Sequence, residues 1–145
     1  MLEWLWVHHA INGGTIGSMI YAGGFDAITR NDSNFAKIFH AATLEAIEVL
    51  KRRGVSVEKY PDIQAFLKQT PTQVLECYRK LFVDTPIGQR SMRAGHHKHS
   101  AEEMEQYYTD ILTTGKELGV SIPTLCSYER KINEQVETAL QGDKI

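Results

Sequence analysis

The stretch that decides the fold is residues 4–17, WLWVHHAINGGTIG. If this stretch is helical, Trp4, His8 and Asn12 follow one another at intervals of four residues and lie on one stripe, because a helix has about 3.6 residues per turn. An aromatic ring, an imidazole and a carboxamide then point the same way from an otherwise apolar helix. Polar groups cost free energy when they are buried without hydrogen bonds. We therefore expect either a neighbouring helix or a ligand to satisfy them.

The rest of the chain predicts further helices joined by short loops. Apolar side chains recur at helical spacing, and residues that start or stop helices stand at the ends of these segments. The sequence Ser100-Ala-Glu-Glu103, for example, matches a capping box at a helix start. The predicted helices cover residues 2–21, 34–53, 62–68, 72–82, 100–118 and 123 to about 140. No segment predicts a strand, so we expect residues 1–145 to form one all-α domain, a bundle of about six to seven helices.

The sequence also predicts close helix packing at the glycines of the first helix and burial of the two cysteines. Gly13, Gly14 and Gly17 weaken the helix and allow another backbone to approach closely, and a kink or break near Gly13 is expected. Cys77 and Cys126 stand beside apolar residues in helical patterns, and we expect them to be reduced thiols in the core.

Composition excludes several classes of protein. The 145 residues include 42% hydrophobic ones, and 16 basic against 18 acidic residues give a net charge of −2. This balance provides no general attraction for nucleic acid or an anionic membrane. No apolar run is long enough to span a bilayer, and no basic segment followed by an apolar run marks a secretory signal. The sequence therefore predicts a cytoplasmic domain that binds neither nucleic acid nor membrane.

Several segments, in order, resemble a known family. They are Ile11-Asn12, the segment 45–54, Ser91-Met92, Glu103-Met-Glu105 and Glu117-Leu-Gly119-Val120 followed by Pro123. In this order and spacing, over nearly the whole chain, they resemble the C-terminal helical domain of ketopantoate reductases (2-dehydropantoate 2-reductases). The resemblance implies a fold of the 6-phosphogluconate dehydrogenase C-terminal type. It also implies an active site in a cleft against an N-terminal NADP-binding Rossmann domain.

The resemblance also implies roles for individual residues. By position, Asn12 and Ser91 match residues that bind the substrate, and Glu103 matches a catalytic glutamate. The general-acid lysine of the family is replaced by Trp4, and an asparagine one turn later is replaced by His8. Reduction of a ketone needs a proton donor, and an imidazole titrates near neutrality. His8 is therefore the predicted catalytic proton donor, unless the substrate differs or the chemistry is lost.

Two classes of function follow. In the first, the chain is the substrate-binding and dimerisation domain of an NADP-dependent reductase of a small 2-keto acid or related carbonyl compound. The family is about twice as long, so NADP is expected to bind mainly to a domain absent from this chain. In the second, the chain is a non-catalytic, stand-alone helical module for dimerisation or ligand binding. Exposure of Trp4, Trp6 and Ile20 beside small residues predicts a homodimer, with Gly13, Gly14 and Gly17 forming a contact face.

Each candidate site residue also has a purely structural interpretation. His8 and Asn12 could be buried and satisfied by neighbouring helices. Ser91, between Arg90 and Arg93, could cap a helix rather than bind a carboxylate, and Glu103 could belong only to the capping box. The run His96-His-Lys-His99 has no helical or carboxylate–histidine spacing, so no metal site is predicted there.

Overall fold

The computed structural model describes residues 2–30, 32–86 and 98–142 of the chain. Within these ranges it contains six α-helices, two short 3₁₀ helices and no strand. The helices are α1 (Glu3–Tyr21), α2 (Ser33–Arg52), α3 (Pro61–Lys68), α4 (Pro71–Val83), α5 (Lys98–Glu117) and α6 (Pro123–Gly142), with the 3₁₀ helices at Phe25–Thr29 and Val57–Lys59. The all-α prediction is confirmed for these ranges, while the 6-phosphogluconate dehydrogenase-type arrangement stays a prediction.

Local chemistry explains where the helices begin. The Asp32 side chain accepts hydrogen bonds from the backbone N–H groups of Asn34 and Phe35 at the start of α2. Thr70 and Gln73 form a reciprocal capping box at the start of α4, which the sequence analysis overlooked. The capping box predicted from Ser100 to Glu103 is wrong, because α5 already includes Lys98 and Ser100 therefore lies inside the helix.

Helix α1 lies at the centre of the bundle and packs against α2, α5 and α6. Its second half is buried almost all round, because neighbouring helices cover several of its faces. This position explains why residues 13–19 are apolar or small without an amphipathic pattern. The helix runs through Gly13 without the expected break.

The glycines of α1 are contact points between helices of the same chain. A Cβ atom added at Gly14 would lie 2.6 Å from the Cα of Thr43 on α2. A Cβ atom added at Gly13 would lie 2.8 Å from the carbonyl oxygen of Tyr107 on α5. The close backbone approach is therefore confirmed. The proposed dimer contact through this glycine face is wrong, because α2 and α5 already cover it.

Buried hydroxyl groups hold α1 to the last helix. The Ser18 Oγ atom lies 3.0 Å from the Oη atom of Tyr128, which also donates to the carbonyl oxygen of Ile38 at 3.2 Å. Tyr108 donates a 2.5 Å hydrogen bond to the carbonyl oxygen of Leu125. Burial is the main reason that the pKa values of Tyr108 and Tyr128 lie well above the ordinary value. These tyrosines keep their protons at neutral pH and serve the packing of the core.

Two expectations about side-chain burial are wrong. Cys77 and Cys126 are exposed free cysteines, not core thiols. Each follows a buried position by one or two residues, and a helix turns about 100° per residue, so an apolar neighbour does not imply burial. Leu81 follows the helical spacing of the buried residue Val74 on α4 but is 55% exposed.

Candidate functional site

The first half of α1 carries the candidate site, and three polar contacts fix its position. Tyr60 donates a 2.9 Å hydrogen bond to the Glu3 carboxylate. One turn later, the Arg53 guanidinium lies over the Trp6 ring, 3.9 Å from the ring centroid. Next, the Nε2 atom of His9 lies 2.8 Å from Oδ2 of Asp110 on α5. The stripe of Trp4, His8 and Asn12 lies on the opposite side of α1, so these contacts also fix its orientation.

That opposite stripe faces outward. Trp4 is 56% exposed, His8 is exposed and Asn12 is half-buried. The interpretation of His8 as a buried residue satisfied by neighbouring helices is therefore wrong. Leu2 and Leu5 are also exposed, so the start of α1 presents an apolar surface next to the polar stripe.

His8 and Asn12 contact each other directly. The Nδ2 atom of Asn12 lies 3.1 Å from the Nε2 atom of His8. An amide nitrogen can only donate, so Nε2 is the acceptor in this arrangement, and the neutral imidazole carries its proton on Nδ1. The pair therefore presents an oriented N–H donor and the Asn12 carbonyl oxygen on one exposed turn of helix.

The other predicted site residues are not placed by the structure. Ser91 lies outside the described residues. The backbone of Glu103 is part of α5, but its side chain is not among the parts that the structure describes. Of the histidines in the run at 96–99, His96 and His97 lie outside the described residues, and only the helical backbone of His99 is described. Among the described residues, no group of three or more His, Cys, Asp or Glu side chains could hold a metal ion.

A second cluster, which the sequence analysis missed, lies on another face of α1. The Asp110 carboxylate contacts His9 through Oδ2 and accepts a 2.6 Å hydrogen bond from Gln106 through Oδ1. The Tyr107 ring meets the His9 ring edge-on, with 4.7 Å between centroids. Sequence spacing does not reveal this cluster, because about one hundred residues separate His9 from its partners.

A cavity of about 270 Å³ connects this cluster to Arg53. Its lining includes Trp6 and His9 from α1, Arg53 from the end of α2, and Asp110 from α5. The cavity thus combines a guanidinium, an aromatic ring and a histidine–carboxylate pair. These groups come from three helical segments that are far apart in the sequence.

Comparisons of the chain with protein-family models, curated proteins and solved structures gave no match. Within the described ranges, no helix has the length and apolar character needed to cross a membrane.

Proposed function

We propose that this chain is the substrate-binding and dimerisation domain of an NADP-dependent reductase that acts on a small 2-keto acid or related carbonyl compound. The observation that carries the proposal is the outward-facing His8–Asn12 pair, held at 3.1 Å beside exposed Trp4. An oriented imidazole on a fixed helix provides what reduction of a carbonyl needs from this side of a cleft. Protonated imidazole can give the proton that a carbonyl oxygen takes up when it is reduced.

Each residue of the stripe has a defined role in this proposal. In this step His8 acts as the imidazolium. Its Nε2–H donates to the carboxamide oxygen of Asn12, whose amide group has turned over from the arrangement described above, and the Nδ1 proton passes to the substrate oxygen, leaving a neutral imidazole. The Trp4 indole forms an apolar wall and does not transfer a proton. Ser91 binds the substrate carboxylate and Glu103 is the second catalytic group, both as implied by the family resemblance.

NADP would be held mainly by a separate nucleotide-binding domain. The described residues contain no strand and therefore no strand–turn–helix unit of the dinucleotide-binding type. The cofactor would supply the hydride, and this chain would supply substrate binding and the proton. A cytoplasmic location stays a prediction.

Nuclear magnetic resonance titration with 2-ketoisovalerate tests substrate binding directly. We expect the His8 imidazole and the Asn12 side-chain amide to shift together, and we expect His8→Ala and Asn12→Ala each to weaken the response. Asn133→Ala, which removes an exposed asparagine from α6, is the matched control and should bind like the wild type. The proposal would be contradicted if the His8 ring in Asn12→Ala and the Asn12 side-chain amide in His8→Ala still shifted with wild-type affinity.

The coding sequence upstream of Met1 tests the reductase assignment independently. An in-frame segment that predicts a strand followed by Gly-x-Gly-x-x-Gly would support it. An in-frame stop codon there would contradict it and favour the second candidate, a non-catalytic helical module for dimerisation or ligand binding.

The exposed apolar surface of Leu2, Trp4 and Leu5 supports this second candidate function. Exposed large apolar side chains that lie together favour contact with another protein surface. A homodimer through this surface predicts that Trp4→Glu lowers the mass measured by sedimentation equilibrium. An unchanged mass would argue against this surface as the dimer contact.

A further inference from the structure

The cavity between α1, the end of α2 and α5 has an apolar floor and one cation, Arg53, which has no ion-pair partner among the described residues. Arg53 and Trp6 form one side, and His9 and Asp110 form another. Leu50, which is 1% exposed, also lines it. This cavity lies on a different face of α1 from the stripe Trp4–His8–Asn12, so its ligand does not depend on the proposed reductase function.

Arg53 is oriented but not neutralised. Its guanidinium lies over the Trp6 ring, which leaves the N–H groups at the edge of the guanidinium plane free to donate. Among the described residues, no carboxylate oxygen lies within 4.0 Å of Arg53. A planar guanidinium binds a carboxylate through two parallel hydrogen bonds, and stacking on an aromatic ring fixes its orientation for that geometry.

The acidic residue of the cavity already has its partners. Asp110 accepts from Gln106 at 2.6 Å and contacts His9 at 2.8 Å. Each carboxylate oxygen thus has a partner of its own, and Asp110 forms no ion pair with Arg53 within the described part of the chain. Its negative charge instead limits how much anionic charge a ligand can bring into the cavity.

We propose that this cavity binds a small monocarboxylate with an apolar body. The carboxylate pairs with Arg53, and the apolar body covers Leu50 and Ile111 on the floor. A phosphate dianion fits less well, because the cavity offers one guanidinium, contains Asp110 and lies at the carbonyl end of α2, where the partial charge is negative.

Titration of the Trp4→Phe protein with isovalerate tests this site, because Trp6 is then the only indole of the chain. We expect a saturable shift of the Trp6 indole N–H signal. Isovaleramide has the same shape without the charge, and we expect it to bind at least about ten-fold more weakly, as for loss of a charge-assisted hydrogen bond. Inorganic phosphate at the same concentration should also bind more weakly than isovalerate.

Arg53→Gln and Arg52→Gln form a matched pair of neighbouring, exposed arginines, of which only Arg53 lines the cavity. We expect about ten-fold weaker isovalerate binding for Arg53→Gln and unchanged binding for Arg52→Gln. Equal binding of isovaleramide or phosphate, or an equal loss in both variants, would overturn the proposal. Thermal unfolding of each variant confirms that it is folded. In Arg53→Gln, the His8 signals should still shift with 2-ketoisovalerate as in the wild type, because the stripe and the cavity are separate sites.

Discussion

The Glu45 carboxylate of α2 accepts a 3.0 Å hydrogen bond from the backbone N–H of Leu125 in the first turn of α6. Its other oxygen accepts from the backbone N–H of Thr124 at 3.1 Å. A negative charge at a helix N-terminus is favourable, and these N–H groups have no partner within their own helix. A side chain from the second helix thus caps the last one and fixes where it starts.

Glu45→Gln removes the charge and one of the two strong acceptors. We expect the free energy of unfolding to fall by about 1–2 kcal/mol, measured by urea denaturation. Glu48→Gln, one turn further along α2, removes only an exposed salt bridge to Lys51 and should change stability by less than about 0.5 kcal/mol. Equal effects of the two substitutions would show that the cap contributes nothing specific.

Gly14→Ala places a methyl group against the backbone of Thr43, where the two helices have no room for it. We expect a loss of about 3 kcal/mol or more in unfolding free energy, because backbone cannot move aside as a flexible side chain can. Thr109→Ala on the exposed face of α5 is the control and should stay within about 0.5 kcal/mol of the wild type. A stable Gly14→Ala protein would mean that α1 and α2 are further apart than described.

Tyr108 and Tyr128 make stability sensitive to alkali. Their folded-state pKa values are raised, so their contribution is complete below the unfolded-state value of about 10 and falls as the pH rises from there towards the folded-state value. Each tyrosine should lower the unfolding free energy by about 1.4 kcal/mol per pH unit in that window.

Urea denaturation at a series of alkaline pH values checks this slope. Burial raises the pKa of Tyr78 in the same way, so Tyr108→Phe removes one of three such groups. Its stability should start lower, through loss of the hydrogen bond to Leu125, and decline about two thirds as steeply. A wild-type stability that stays flat up to about pH 11 would contradict the assignment.

The exposed thiols give a direct chemical test of the helix orientations. Cys77 and Cys126 should both react with a thiol reagent in the folded protein without denaturant. Cys126→Ser should remove one equivalent of reaction and leave the unfolding free energy within about 0.5 kcal/mol of the wild type. A thiol that reacts only after denaturation would place it in the core, as the sequence had suggested.

His8→Ala separates function from stability. His8 is exposed and bonded only within its own helix turn to Asn12, so we expect a change below about 0.5 kcal/mol in unfolding free energy. The same substitution should weaken the shift of the Asn12 side-chain amide on titration with 2-ketoisovalerate. A large loss of stability would instead make His8 a structural residue.

The helices were predictable because local signals mark them. In α2, Phe35, Phe39, Ala42, Ala46 and Leu50 repeat at helical spacing, and all are buried. Asp32 and Gly54 then mark its two ends. The sequence also showed that Gly13 and Gly14 allow close contact. It could not show that α2 and α5, rather than a second chain, make that contact, because the partners lie 29 and about 94 residues further along.

The candidate site was predictable only in part, because its contacts also join residues that are far apart in the sequence. Trp4, His8 and Asn12 share a stripe by helical spacing alone, and α1 is helical there. Their exposure depends on how the whole helix is rotated in the bundle, which neighbouring residues do not determine. The contact of His9 with Asp110 joins residues 101 positions apart, and no local pattern reports such a pair.

The central position of α1 has a consequence for how the domain folds. Helix α1 carries three glycines in its buried half, and alone it is a weak helix. Its contact with Thr43 joins residues 29 positions apart, whereas its contacts with Tyr107 and Tyr108 join residues more than 90 positions apart. Full enclosure of α1 therefore requires long-range contacts, which form more slowly than local ones.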